Sequence, residues 1–133
     1  MAKLHVVMVT PERQVLRSEA DQVIAPSVFG EVGILPDHRP LVAALAEGVL
    51  TLEQGSTNRV FAVSGGFLEV RQNEVTILAE TAEQKEDIDI GRAKKAVKEA
   101  ENKIATLDAS DPHYIEQRAR LRRAEVRLAV TGK

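Results

Sequence analysis

The chain has 133 residues and a formal net charge of −2 at pH 7, with 44% hydrophobic and 29% charged residues. Its length fits one medium domain, or one small domain with an appendage. The chain contains no cysteine, which excludes disulfides and thiolate metal sites and is compatible with a reducing cytosol. Residues 1–87 carry 7 Lys/Arg and 13 Asp/Glu, a balance of −6, whereas residues 88–133 carry 11 and 7, a balance of +4. This split predicts that the two halves attract each other, or that the basic half meets an acidic partner.

The sequence argues against a signal peptide and against direct bilayer insertion. Lys3 and His5 interrupt the N-terminus, and no apolar segment of signal-peptide type follows them. The longest uncharged apolar stretch, residues 60–68, is far too short to span a bilayer. We therefore expect a protein that can lie beside a membrane only by docking on an embedded partner.

Short apolar runs separated by Gly, Pro and Asn occupy the chain up to about residue 86. The predicted strands cover residues 4–10, 15–16, 22–25, 31–35, 41–45, 48–53, 59–63, 67–71 and 75–79. Turn signals recur every eight to twelve residues, which favours a β sandwich or a flattened barrel. Gly65-Gly66 predicts the two-residue turn of a β-hairpin, because both positions tolerate positive φ.

From residue 90 onward the apolar residues recur at helical spacing. The first helix carries an uninterrupted apolar stripe of Ile90, Ala93, Val97, Ala100, Ile104 and Leu107. The spacing of 3, 4, 3, 4, 3 predicts an amphipathic helix. A second helix is predicted from about residue 112 to about 130, with Asp111 as its N-cap and Pro112 at its first position.

The second helix has two apolar faces and one cationic stripe. One face consists of Tyr114, Leu121, Ala124 and Leu128, and the nearly opposite face consists of Ile115, Ala119, Val126 and Val130. Arg120, Arg123 and Arg127, which we call the arginine stripe, lie between them. Such a helix buries one face and offers the other to a partner, or exchanges partners, or packs both faces in a fixed bundle. The pattern leaves these possibilities open.

The sequence pattern therefore predicts a β unit of eight or nine short strands over residues 1–86, followed by an antiparallel two-helix hairpin over residues 87–133. The two units meet at residues 87–93. Gly91 falls in the first turn of the first helix, where it costs about 1 kcal/mol relative to Ala. We expect this turn to unwind easily.

Catalytic machinery is hard to find in this sequence. The three histidines lie far apart, and no His/Cys ligand spacing is present. Ser64 lacks the flanking residues of a nucleophile elbow, and no Gly-rich phosphate loop occurs. Asp87 and Asp89 are better explained as groups that stabilise a helix start than as an acid/base pair. We expect no catalytic residue and no metal site.

The Arg-rich last helix leaves one alternative, a stand-alone β-sandwich module whose helix binds nucleic acid or another acidic partner. Against nucleic acid stand the acidic larger half, the presence of only four aromatic residues and the lack of tryptophan.

Four motifs in register carry a family resemblance. They are Val9-Thr10-Pro11-Glu12; Gly30-Glu31-Val32-Gly33-Ile34-Leu35-Pro36-Asp37-His38 with Pro40-Leu41; Ser64-Gly65-Gly66-Phe67-Leu68-Glu69-Val70; and Glu86-Asp87-Ile88-Asp89 with Arg92-Ala93. Together they resemble the epsilon subunit of bacterial F-type ATP synthases, which corresponds to the mitochondrial delta subunit. The resemblance covers essentially the whole chain and implies a ten-stranded sandwich followed by a helical hairpin.

The resemblance also implies a function and a location. It implies a non-catalytic role in the central rotor stalk, where the sandwich binds the gamma subunit and the ring of membrane-embedded c subunits. Proton flow turns this ring, and ATP is made on the catalytic subunits. The implied location is peripheral, on the cytoplasmic face of the bacterial inner membrane.

Site residues follow from the same resemblance. It implies that Glu31 faces the polar loops of the c ring, with His38 close by on the same edge. Without the resemblance, Glu31 is an ordinary exposed carboxylate beside a turn shaped by Gly30 and Gly33.

The resemblance further implies that the hairpin either folds against the sandwich or extends into the catalytic head of alpha and beta subunits. When extended, it restrains ATP hydrolysis, partly through basic residues that meet an acidic segment of the head. Arg120, Arg123 and Arg127 match this chemistry, because guanidinium stays charged and binds carboxylates through paired hydrogen bonds.

Some family members bind ATP in the folded hairpin through a motif of the form Ile/Leu-Asp-x-x-Arg-Ala. The matching residues here are Ile88, Asp89, Arg92 and Ala93, with Arg123 and Arg127 as further phosphate ligands. Where those members place another arginine, this chain has Glu99, which repels a triphosphate. We expect ATP to be a regulatory ligand that binds weakly or not at all, and no cofactor to be required. The alternative is that Asp89 caps the helix and Arg92 is solvated.

Overall fold

The computed structural model describes residues 2–132 of the chain. Across these residues it contains ten β-strands, one short 3₁₀ helix and two α-helices. The strands are β1 (Leu4–Val9), β2 (Gln14–Ala20), β3 (Gln22–Ser27), β4 (Gly30–Ile34), β5 (Leu41–Ala44), β6 (Gly48–Gln54), β7 (Thr57–Ser64), β8 (Phe67–Arg71), β9 (Glu74–Leu78) and β10 (Thr81–Gln84). The 3₁₀ helix spans Lys85–Asp87, and α1 (Ile90–Thr106) and α2 (Pro112–Thr131) follow. The predicted fold class, a β sandwich followed by a two-helix hairpin, is confirmed.

Two five-stranded sheets account for the strands within residues 2–132. We call the sheet with the strand order β2-β1-β9-β8-β5 the open sheet, and the sheet with the order β10-β7-β6-β3-β4 the covered sheet. β1 pairs with β9 in parallel, and β8 pairs with β9 in antiparallel orientation. Side chains alternate between the two faces of each strand, as on β1, where Leu4, Val6 and Met8 are buried and His5 is exposed.

The sandwich core lies between the two sheets. Its largest fully buried side chains are Phe61, Leu4, Met8, Ile34, Leu50, Leu52, Leu68, Ile77, Val6, Val23, Val63 and Val70. They come from seven strands on both sheets, so the inward-facing residues of each sheet pack against those of the other. The sandwich has a hydrophobic core of its own.

The Gly65-Gly66 turn does not close a β-hairpin, so that prediction was wrong. β7 belongs to the covered sheet and β8 to the open sheet, and the turn carries the chain from one sheet to the other. Both glycines have positive φ, of 61° and 92°, and a Cβ at Gly66 would lie 1.7 Å from the carbonyl oxygen of Leu78. Positive φ identifies a tight turn, but it does not specify the sheet in which the following strand finds its partners.

The helical hairpin packs on the outer face of the covered sheet. The contact is made by a second apolar cluster, which we call the docking cluster. It consists of Val49 on β6, Val60 and Ala62 on β7, Ile88 in the connection, and Val126 and Val130 on α2. Val130 is fully buried there, whereas Ile115, on the same predicted face of α2, is 74% exposed. This face therefore meets the sandwich through its C-terminal half alone.

Local signals set the ends of the two helices. The Asp111 carboxylate accepts a hydrogen bond from the backbone N–H of His113 at 2.8 Å, which confirms Asp111 as the N-cap of α2. This hydrogen bond, together with a second from the His113 side chain, lowers the pKa of Asp111 below its ordinary value of 3.8. Between the helices, Ala93 and Ala100 of α1 and Ala124 of α2 are buried, and these small residues let the two helices pack closely.

Candidate functional site

A cleft of about 220 Å³ lies where the sandwich meets the hairpin. It is lined by Glu83 on β10, Asp87, Ile88 and Asp89 in the connection, Arg92, Ala93 and Ala96 on α1, and Arg127 on α2. The structure thus brings together five of the six residues that the resemblance implies for ATP. The connection and α1 supply four of these residues because they are adjacent in sequence, and α2 supplies Arg127 by packing against them.

A second cavity of about 160 Å³ continues between the two helices. Its charged lining residues are Glu99 and Lys103 of α1 and Arg120, Arg123 and Arg127 of α2. Arg127 lines both cavities, and Arg123, the sixth residue implied for ATP, lines only this one of the two. Together the two cavities form a groove lined by five cationic and four anionic side chains. The cationic side chains are concentrated between the helices, where four of them accompany Glu99.

Two residues of the predicted ATP motif also have structural roles. Asp89 is the N-cap of α1, because its Oδ1 accepts a hydrogen bond from the backbone N–H of Arg92 at 3.0 Å. Ile88 is 9% exposed and belongs to the docking cluster. The Arg92 side chain is exposed at the rim of the cleft. The parts of the motif that are open to a ligand are therefore the guanidinium of Arg92 and the second carboxylate oxygen of Asp89, which is also exposed.

Two members of the arginine stripe already hold carboxylates. Nε of Arg127 donates to Oε1 of Glu83 at 2.7 Å, which ties α2 to the sandwich. Nη2 of Arg120 donates to Oε1 of Glu116 at 3.0 Å within α2. Arg123 lines a small cavity with Glu47, Ser64 and Thr81 of the sandwich. The stripe thus faces acidic and polar groups of its own chain.

Glu31 and His38 do not lie close together, so the expected proximity was wrong. Glu31 pairs with Pro26 beside the β3–β4 turn, and β4 then runs in extended conformation to Ile34. The segment after β4 is anchored at the far end of the sandwich, where the backbone N–H of Asp37 donates to Oδ1 of Asn73 at 2.6 Å. An extended strand rises about 3.3 Å per residue, so β4 separates the two residues.

An exposed apolar turn adjoins Glu31, and the sequence interpretation missed it. Phe29 is 95% exposed and Val28 is 57% exposed, between Ser27 and Gly30. Ser27 Oγ accepts a hydrogen bond from the backbone N–H of Phe29 at 3.2 Å and donates to the Gly30 carbonyl oxygen at 2.6 Å, which holds the turn in shape. A phenylalanine at a turn tip was a signal available in the sequence.

A row of apolar side chains crosses the outer face of the open sheet. Strand register places Val9, Leu78, Phe67 and Ala44 opposite one another on β1, β9, β8 and β5. Phe67 is 56% exposed and Leu78 is 51% exposed, and Val42, farther along β5, is 70% exposed. We call these five residues the apolar row. Because four different strands build it, no local sequence pattern predicts it.

No helix within residues 2–132 is long and apolar enough to cross a membrane. In the same residues, no group of three or more His, Cys, Asp or Glu side chains is arranged to hold a metal ion.

Both halves of the chain match models of one protein family. Residues 3–85 match the beta-sandwich domain of the ATP synthase delta/epsilon chain, and residues 86–132 match its long alpha-helix domain. A protein named ATP synthase epsilon chain from Halalkalibacterium halodurans is 46% identical over 133 residues, which is the full length of both chains. Another of that name, from Nitratidesulfovibrio vulgaris, is 48% identical over 97% of this chain and 96% of its own.

Solved structures agree with this match. A chain of the Euglena gracilis mitochondrial ATP synthase, in an assembly of OSCP, F1 and c-ring, superposes with a TM-score of 0.86 at 26% identity, over 97% of this chain and 81% of that chain. A chain of the Tetrahymena thermophila mitochondrial ATP synthase central stalk and c-ring shares the fold, with a TM-score of 0.62 at 13% identity over 98% and 97% of the two chains. The chain belongs to the ATP synthase delta/epsilon family. Within it, this is a non-catalytic subunit of the bacterial epsilon type.

Proposed function

We propose that this subunit links the gamma subunit to the c ring in the rotor of a proton-translocating ATP synthase, and that its hairpin restrains ATP hydrolysis. It would act as a peripheral protein at the cytoplasmic face of the bacterial membrane. The observation that carries the proposal is the division of surfaces on the sandwich. One sheet is covered by the hairpin, whereas the other sheet and one end of the sandwich expose apolar side chains.

The apolar row is assigned to the gamma subunit. Aromatic and aliphatic side chains in a continuous patch are typical of the buried centre of a protein interface. His38 belongs to the same contact, because it precedes β5, the edge strand of the open sheet that carries Val42.

Introducing a charge by Leu78→Asp should weaken binding of the sandwich to the gamma subunit by at least about tenfold, because the carboxylate would be buried without a partner. The control is Ile115→Asp, an equally apolar exposed position on α2. Titration of each variant against purified gamma subunit measures the effect. Equal affinity of Leu78→Asp and the unchanged chain would contradict the assignment.

The β3–β4 turn and Glu31 are assigned to the c ring. Phe29 and Val28 supply apolar contact and Glu31 supplies a charge for the polar loops of the ring. Glu31→Lys should therefore reduce proton-driven ATP synthesis in membranes that carry the assembled complex. Glu19→Lys is the matched control, since Glu19 is also exposed but lies on β2. Synthesis that is unaffected by Glu31→Lys would reject the contact.

The arginine stripe is assigned to restraint of ATP hydrolysis in the extended hairpin, where it would meet acidic groups of the catalytic alpha and beta subunits. Replacing Arg120, Arg123 and Arg127 by alanine should raise ATP hydrolysis in the reassembled complex. Arg118 and Arg122 provide the control, because at 100° per residue they lie on the opposite side of α2. If the control raises hydrolysis as much as the stripe variant does, general loss of charge explains the effect instead.

We also propose ATP as a weak regulatory ligand of the groove under the hairpin. The support is the clustering of Arg92, Arg123 and Arg127 along two adjoining cavities. Glu83 and Glu99 line the same groove, and their charge opposes a triphosphate. Calorimetric titration of the chain should show binding that Arg92→Ala abolishes. A titration without heat up to millimolar ATP would reject this ligand.

A further inference from the structure

The boundary between the sandwich and α2 is charged as well as apolar. Glu83 stands opposite Ala62 in the β10–β7 pair, at the margin of the docking cluster, and it binds Arg127 at 2.7 Å. The Arg127 side chain is 41% exposed and the Glu83 side chain is 36% exposed, so this ion pair lies at the rim of the interface.

A second sandwich carboxylate lies under the same helix. Glu47 follows β5, and its Oε1 is buried without a hydrogen-bond partner in the described residues 2–132. It lines a cavity of about 20 Å³ whose cationic lining residues are Arg123 and Arg127, about the space of one water molecule. A buried carboxylate oxygen is unfavourable unless a cation or a donor compensates it. Arg123 is available for this role, because Arg127 already holds Glu83.

We infer that Glu47 and Glu83 form a receptor on the sandwich for Arg123 and Arg127, so that the folded hairpin is held by the arginines that the extended hairpin uses elsewhere. The consequence for hydrolysis rests on the proposed function, whereas the receptor itself does not. The acidic sandwich and the basic hairpin attract each other through these groups. Folding back then withdraws two guanidinium groups of the stripe from any other acidic partner.

The two kinds of contact have different consequences for docking. Apolar contact in the docking cluster holds α2 at any ionic strength. Partly exposed ion pairs contribute little each and are screened by salt. The receptor therefore biases the docking equilibrium, by about two- to five-fold for each ion pair, and makes it sensitive to ionic strength and to competing charged groups.

Thiol labelling of the full chain tests the receptor, because the sequence has no cysteine of its own. Ala62 is 7% exposed beneath α2, so an Ala62→Cys thiol reacts only when the hairpin leaves the sandwich. Its labelling rate then follows the undocked fraction. Ala20 is 2% exposed in the sandwich core, and an Ala20→Cys thiol in a second set of chains reports unfolding of the sandwich itself.

Glu83→Gln and Glu47→Gln should each raise the labelling rate of the Ala62→Cys thiol by about two- to five-fold at low salt. Both variants should leave the Ala20→Cys thiol unchanged. Glu74→Gln, which neutralises an exposed carboxylate on the open sheet, should change neither rate. The charge swap Glu83→Arg with Arg127→Glu should restore slow labelling that Glu83→Arg alone has lost.

Salt provides the second readout. Raising NaCl from about 50 to about 500 mM shortens the Debye length from roughly 14 Å to roughly 4 Å. Labelling of the Ala62→Cys chain should therefore accelerate, whereas labelling of the same chain with Glu47→Gln and Glu83→Gln should not. Equal rates in the variants and the parent chain at both salt concentrations would overturn the receptor. No gamma subunit, c ring or catalytic head is present in this assay. A negative labelling result would therefore contradict the receptor and not the proposed function. A negative result in the coupling assays would contradict the proposed function and not the receptor.

Discussion

Removing two methyl groups from Val130 should undock the hairpin without unfolding the sandwich. Val130 is fully buried in the docking cluster and lies outside the cluster that forms the sandwich core. At about 0.8 kcal/mol per buried CH₂, Val130→Ala loses about 1.6 kcal/mol of transfer free energy. The cavity that remains raises the loss to about 2–3 kcal/mol. Since 1.4 kcal/mol is a factor of ten, the undocked fraction should rise about 30- to 150-fold.

Limited trypsin digestion measures this fraction. Residues 88–133 contain 11 Lys/Arg, and cleavage follows the population of the open form when opening is fast. Cleavage in α1 and α2 should accelerate by the same factor, while a sandwich fragment persists and keeps its thermal midpoint. Ile115→Ala, on the same predicted face of α2 but 74% exposed, should change the rate less than about twofold. Loss of the sandwich fragment at the same rate as the hairpin would refute the idea that the two units open independently.

Three further predictions concern the backbone and the caps. Gly66→Ala should prevent stable folding or strongly lower the urea midpoint of unfolding, because its Cβ would overlap the Leu78 carbonyl oxygen. Gly55 has a φ of 63° and open space around it, so Gly55→Ala should lower the free energy of unfolding by only about 1–2 kcal/mol. Lowering the pH should weaken the start of α2, because the hydrogen bonds from His113 lower the pKa of Asp111. The cap stabilises the helix above pH 3.8 and is lost as the pH falls through the lower pKa of the folded state. Far-UV circular dichroism records this loss, and Asp111→Asn should diminish its pH dependence. Gly91→Ala should stabilise the start of α1 by about 1 kcal/mol, since the added Cβ would contact only Asp89 Oδ1, at an ordinary 3.4 Å. The proportions of the folded and extended hairpin that cross-linking traps should then differ from those of the unchanged chain.

The helices could be predicted nearly to the residue. The apolar spacing indicated a helix from residue 90, and α1 begins at Ile90; the second was expected over about 112–130, and α2 spans Pro112–Thr131. Helical hydrogen bonds and caps join residues a few positions apart, so a short window of sequence contains the whole signal. Asp111 shows this best, because its partner is two residues away.

Sheet membership and surface patches could not be predicted in the same way. The Gly65-Gly66 turn was recognised as tight, but the partners of β8 are β5 and β9, which come from other parts of the chain. The apolar row is invisible for the same reason, since its residues become neighbours only through the register of four strands. Phe29 differs, because its exposure follows from its place at a turn tip.

In the candidate groove, too, residues that are close in sequence were predicted, whereas contacts between distant residues were not. Ile88, Asp89, Arg92 and Ala93 were recognised together because they are close in sequence, and the structure places these four residues along one cleft. The carboxylates that face the arginine stripe were missed, because Glu83 and Arg127 are 44 residues apart. The charge imbalance between the two halves predicted that they attract each other, but it did not identify any individual ion pair.

By itself, the sequence determined the order of a sandwich and a hairpin, the opposite charge of the two units and the cationic stripe on α2. These properties depend on composition and on short-range periodicity. Tertiary structure decided which sheet stays open, which half of an apolar helix face is buried, and which arginines already hold a carboxylate of the same chain. Each of these depends on how two distant surfaces fit together, because apolar burial and ion pairing are gained only when both surfaces are in place.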